Sequence, residues 1–232
     1  MTIPAPPFCR LLSALGTLLA LILLPLAAQP GAMSPGAQSP QSSATVARPR
    51  IVFLGDSLTA GYGLTDKSES VPSLIQAHLD AKGFRYEVVN AGVSGDTSAG
   101  GLSRLNWSLK GDVKILVVEL GANDGLRGLP VAAMKSNLDQ IIRGAKQRGI
   151  AVLLTGMEAP PNYGAAYTTE FRHAFSDLAR EHKVSFVPFY LQGVAGDPTL
   201  NISDGIHPNR AGTRIVESTI WRALEPLLSK PR

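Results

Sequence analysis

The sequence predicts a three-layer α/β domain built on a mainly parallel sheet. Two observations carry this. Five short apolar runs alternate with segments whose apolar residues recur at helical spacing, the order that builds a sheet covered by helices on both faces. The runs are apolar almost throughout rather than at every second residue, as strands buried on both sides require. With 232 residues, the chain has room for one such domain and a leader.

The elements follow in order. Residues 50–54 (Arg-Ile-Val-Phe-Leu) form the first strand and residues 86–90 the second, with a helix over 71–82 that aligns Leu74, Ile75, His78 and Leu79. The third strand is 113–120. The helix over 131–148 places Met134, Leu138, Ile141 and Ile142 on one face, and Gly149 is its natural stop. The fourth strand is 150–155. A helix over 168–183 aligns Phe171, Phe175, Leu178 and Ala179 before the fifth strand at 184–188. The last helix, 210–228, carries Ile215, Val216, Ile220 and Leu224. Strand order does not follow from this pattern.

The first residues read differently. Arg10 precedes an apolar run, 11–28, that Pro25 interrupts and that ends in Ala27 and Ala28. A charged start, an apolar middle and small residues at the end describe a secretory signal peptide over 1–28. Removal leaves an exported protein, periplasmic or secreted, with no membrane span; retention would make the run an anchor. Residues 29–47, rich in Pro, Ser, Ala and Gly, form a flexible linker to a folded domain over 48–232. The single cysteine, Cys9, lies in the leader, so the mature chain has no disulfide. The net charge of +4 is spread without basic runs, which argues against a nucleic-acid partner, and a monomer is expected.

In open α/β sheets, ligands bind beyond the carboxyl ends of the strands. The first strand is followed by Gly55-Asp56-Ser57-Leu58, the second leads to Gly95-Asp96, the third is followed by Gly121-Ala122-Asn123-Asp124, and Asp204-Gly205-Ile206-His207-Pro208 lies beyond the fifth. Ser57 is the candidate nucleophile and needs an imidazole to take its proton. Of the four histidines, His78, His173 and His182 fall in helical patterns, whereas His207 lies in a loop. Asp204, three residues earlier, is placed to orient it. The Ser57 and Gly95 N–H groups and the Asn123 amide are candidate oxyanion donors. Singly, each motif reads as well as an ordinary turn or helix cap. Together, in register with successive strand ends, they form an acyl-transfer set.

These four blocks resemble the SGNH (GDSL-type) hydrolase family, in family order and across nearly all of the folded chain. The runs at 54–63, 119–128 and 157–163 are similar to the bacterial thioesterase I/protease I/lysophospholipase L1 subgroup, whose members are typically periplasmic and often called arylesterases. The resemblance implies a flavodoxin-like fold with a five-stranded sheet and a Ser57–His207–Asp204 triad. It also implies oxyanion donors at Ser57, Gly95 and Asn123, and no metal or cofactor. The expected substrate is a small acyl or aryl ester, with thioesters and lysophospholipids as further candidates. Leu126, Leu129, Pro160 and Tyr163 are candidates to line an apolar substrate groove, or else to brace their loops.

Other classes stay on the table. No Gly-x-Ser-x-Gly elbow and no complete Gly-x-Gly-x-x-Gly after the first strand occurs, which sets aside an α/β-hydrolase and a dinucleotide-binding domain. Asp56, Asp96, Asp124, Asp204 and His207 could instead gather round a cation. A carbohydrate acetyl-esterase or a non-catalytic binding module would use the same fold.

Overall fold

Five parallel strands form one sheet in the order β2-β1-β3-β4-β5. They are β1 (Arg50–Gly55), β2 (Glu87–Gly92), β3 (Val113–Glu119), β4 (Ala151–Thr155) and β5 (Ser185–Val187). The computed structural model describes residues 48–229; the expected signal peptide at 1–28 and linker at 29–47 lie outside the described residues.

The apolar runs become strands for the expected reason. Ile51 to Leu54 of β1 and Leu116 to Val118 of β3 are fully buried, because helices cover both faces of the central strands. The edge strand β2 is only half covered, and Glu87 and Asn90 reach solvent.

The long helices are α2 (Val71–Ala81), α6 (Val131–Lys146), α7 (Ala165–His182) and α8 (Arg210–Leu224). The stripes expected of α6 and α7 are buried throughout, whereas Leu74 and His78 of α2 are half-buried and Ile215 of α8 stays at the surface. The last helix also ends earlier than 228. Residues Glu225–Leu227 tighten into a 3-10 turn, since Pro226 has no N–H to continue the α-helical ladder. Four short helices escape the periodicity because none spans two turns: α1 (Ser57–Ala60), α3 (Ser98–Ser103), α4 (Leu105–Ser108) and α5 (Ala122–Leu126).

The chain steps from β1 to β2 in one direction, and from β3 through β4 to β5 in the other. Right-handed crossovers then put α2 and the α6–α7 pair on opposite faces. The packing agrees: α2 rests on α8 and β2, and α6 rests on α3, α7 and β4. The direction reverses between β1 and β3, which makes their carboxyl ends the switch point where this sheet order binds ligands. Ser57 and Asn123 follow those two strands.

Candidate active site

Ser57 is the first residue of α1. Asp56 caps that helix, its Oδ1 accepting from Leu58 N–H at 3.0 Å. The turn is gripped from beneath by Glu119, the last residue of β3. Glu119 Oε2 accepts from Asp56 N–H (3.2 Å), Thr59 N–H (3.2 Å) and Thr59 Oγ1 (2.7 Å). Sequence reasoning passed over Glu119 because it reads as the end of an apolar strand; a carboxylate inside such a run was the available signal.

The imidazole comes from far along the chain. The long connection from β5 to α8 folds back on itself through an antiparallel bridge between Asn201 and Pro208. A tight turn at its tip holds Asp204 and His207, with Asp204 Oδ1 accepting from the N–H groups of Ile206 (2.9 Å) and His207 (3.0 Å). Asp204 Oδ2 meets His207 Nδ1 at 2.7 Å, and His207 Nε2 meets Ser57 Oγ at 2.8 Å, across 150 positions. With Nδ1–H donating to Asp204, Nε2 is left as the acceptor facing the hydroxyl. Tyr62 leans on the imidazole, its ring centroid 4.7 Å away. Burial works against ionisation of Asp204. The two backbone N–H groups and the imidazole outweigh it and bring its pKa down to about 2, so it is an anion at neutral pH.

Two further loops complete the site. Asn123, on α5, donates from Nδ2 to Asp56 Oδ2 at 3.0 Å. Gly121 caps that helix, and its φ of 110° and close approach to Phe175 exclude a side chain. Gly95 sits in an exposed turn at φ 84°. Among the described residues, no acceptor meets the N–H of Gly95 or of Ser57, which leaves both available to a ligand. The Gly95 turn is held on three sides. Arg127 donates to Gly95 O at 2.9 Å, Arg104 to Asp96 Oδ2 at 2.6 Å, and the N–H and hydroxyl of Ser98 to Asp124 at 2.8 and 2.7 Å. Arg104 lies outside every motif, and Arg127, inside the run 119–128, has no role that the run assigns.

A cavity of about 570 Å³ opens beside Ser57 and His207. Leu126 and Pro160 line it, as expected. Leu129 and Tyr163 do not; they brace the loop instead. Tyr163 donates from its hydroxyl to Leu126 O at 3.0 Å and packs on Gly128, while Leu129 O takes the hydroxyl of Tyr167 at 2.7 Å. Met157, Phe189, Leu191, Ala195 and Ile206 supply most of the remaining apolar wall. Four of these come from the β5–α8 connection, which has no periodicity to mark it.

The carboxylates proposed to gather round a cation are each engaged elsewhere: Asp56 with Asn123, Asp96 with Arg104, Asp124 with Ser98, and Asp204 with His207. They do not converge. His78 and His182 pair with Glu217 and Asp139 between helices, as helix positions suggested.

The description of the GDSL-like lipase/acylhydrolase family matches residues 53–215, from β1 into α8. The chain belongs to the GDSL-like lipase/acylhydrolase family. Among its relatives, esterase TesA of Pseudomonas aeruginosa is 43% identical over 183 residues, 78% of this chain and 90% of that one. Thioesterase 1/protease 1/lysophospholipase L1 of Escherichia coli K12 is 37% identical over 184 residues, 79% and 86% of the two chains. The crystal structure of TesA superposes with a TM-score of 0.74 at 41% identity, covering 77% of this chain and 99% of that one. The GDSL-like membership thus rests on most of the folded chain, with the switch point, the Asp204–His207–Ser57 chain and both glycine turns inside the matched span.

Proposed function

We propose that this protein is an exported serine hydrolase of carboxylic esters. The observation that carries it is the unbroken line from Asp204 through His207 to Ser57, at 2.7 and 2.8 Å, beside an apolar cavity. Ser57 Oγ attacks the acyl carbonyl as His207 Nε2 takes its proton. The carbonyl oxygen becomes an oxyanion facing the N–H groups of Ser57 and Gly95 and the Asn123 amide. His207 returns the proton to the leaving alcohol or thiol, which leaves the acyl group on Ser57. Water, activated by the same imidazole, then releases the acid. Asp204 holds the imidazole tautomer and offsets its positive charge.

Acyl and aryl esters are the proposed substrates, with thioester and lysophospholipid cleavage as further activities. A cavity walled by Met157, Leu191, Ala195 and Ile206 has more apolar room than an acetyl group fills, which favours longer acyl or aryl groups over a carbohydrate acetyl ester. Export rests on Arg10 and the apolar run at 11–28. It makes acyl-CoA a poor candidate for the natural substrate. No helix among the described residues is long and apolar enough to cross a membrane. The test is covalent labelling by a fluorophosphonate together with p-nitrophenyl ester cleavage. Both are expected in the native chain and neither in Ser57→Ala; full cleavage by Ser57→Ala overturns the assignment.

A further inference from the structure

We propose that Glu119 is a positioning residue for this hydrolysis: it stays a neutral carboxylic acid, grips the Ser57 turn through one oxygen, and donates a hydrogen bond from its O–H to Asp56, the residue that aims Asn123. The inference deepens the proposed function and rests on it.

Glu119 and Asp56 are both fully buried. The two oxygens of Glu119 differ. Oε2 takes three donors from the Ser57 turn, and a side chain on Gly55 would come within 2.6 Å of it, so the carboxyl lies hard against that turn. Oε1 is buried with no partner among the described residues, and neither is the hydroxyl of Tyr190 partnered. A buried ionised oxygen without a donor is costly. A protonated oxygen needs an acceptor instead, and Asp56 is the neighbouring carboxylate.

No described Lys or Arg bonds to either acid. Arg104, whose guanidinium reaches Gly55 O next to Asp56, is taken up by that carbonyl, Asp96 and Ala91 O. The groups that face the pair are Tyr190, from the β5–α8 connection, and His207. Two adjacent carboxylates in a dry site do not both ionise. Asp56 is the better place for the charge, since it accepts from Leu58 N–H and Asn123 and faces His207. Burial and then the Asp56 charge drive Glu119 well above the usual carboxylate range. A neutral Glu119 therefore explains the orphaned Oε1 and leaves Asp56 a charged acceptor for Asn123 Nδ2.

The test compares Glu119→Gln with Glu119→Ala in the full chain. Gln reproduces the neutral acid, with a carbonyl for the turn and N–H donors for Asp56, so kcat is expected within about threefold of native. Ala is expected to lower kcat on the order of 10²-fold, as loss of one oxyanion donor does, with KM within about twofold. Infrared spectra of the native chain at pH 7 supply a readout independent of folding of the Ala variant. A protonated carboxylic-acid carbonyl band, shifted by deuteration, is expected and is lost in Glu119→Gln. A Gln variant as impaired as Ala, or a native chain without that band, overturns the proposal. Fluorophosphonate labelling of the native chain, run beside these, tells failure of the hydrolase reading from failure of the Glu119 reading.

Discussion

Arg104 meets Asp96 at 2.6 Å, and the two side chains are only 17% and 19% exposed. The same guanidinium donates to Ala91 O at 2.6 Å and Gly55 O at 2.9 Å, so one side chain joins the ends of β1 and β2 to the Gly95 turn. Removing it strands the Asp96 carboxylate and takes a donor from each of two strand-end carbonyls, of which Gly55 O keeps the Val93 N–H. Arg104→Met is expected to cost about 3 kcal/mol, the low end for breaking a buried pair. Arg104→Lys recovers only part of this, because an ammonium cannot span three acceptors in a plane. Urea unfolding measures both; an unchanged midpoint for the Met variant contradicts the argument.

Asn123 offers its amide to the oxyanion while Asp56 holds it in place. Asn123→Ala is expected to lower kcat about 10²–10³-fold with KM nearly unchanged, since the interaction forms only as charge develops. Steady-state kinetics on a p-nitrophenyl ester decide; a rise in KM at constant kcat would assign Asn123 to ground-state binding.

Asp204→Asn keeps the shape of the turn and loses the charge. The amide turns an N–H toward His207 Nδ1 and favours the wrong tautomer, with Nε2 protonated against Ser57. A drop on the order of 10⁴ in kcat is expected by analogy with serine-protease triads. Thermal unfolding near that of the native chain would show that the loss is chemical.

Stability should respond to pH in two opposite senses. Burial raises Asp56 to about 6 against an ordinary 3.8. A raised acid binds its proton more tightly in the folded chain, so its contribution is full below about 4 and is lost as pH climbs through 6. Glu119 acts in the same direction. Asp204, lowered to about 2, contributes above about 4 and loses that contribution as pH falls toward 2. The unfolding midpoint is therefore expected to rise from pH 7 toward 5 and to fall below 4. In Glu119→Gln the rise is smaller; an identical slope in that variant removes Glu119 from the account.

Ala195 and Leu191 face the cavity from the β5–α8 connection. Ala195→Phe fills it and is expected to lower cleavage of octanoate relative to acetate esters, with Ser57 labelling intact. An unchanged chain-length profile places the acyl group elsewhere.

Much of this molecule was legible in local signals. Ile51 to Leu54 and Leu116 to Val118 announced buried strands, and Gly149 and the stripes of α6 and α7 announced their helices. The short helices were not, because four to six residues cannot display a 3.6-residue period. At the site, Ser57, Gly95, Asn123, Asp204 and His207 stood out through turn chemistry and order along the chain. For Leu129 and Tyr163 the sequence leaves groove wall and loop brace open, because a loop's composition does not say which side chains turn inward; both brace the loop.

By itself, the sequence determined the α/β alternation, the loops at the strand ends and the residue types they carry. These are local: a strand's burial, a glycine's positive φ and an Asp-x-x-His turn depend on near neighbours. Only the tertiary structure decided the strand order, the meeting of Ser57 with His207, the hold of Arg104 on three acceptors and the seating of Glu119 beneath the Ser57 turn. Each of these joins side chains brought together by packing of the sheet and its helices, and that packing is a property of the whole chain rather than of any stretch within it.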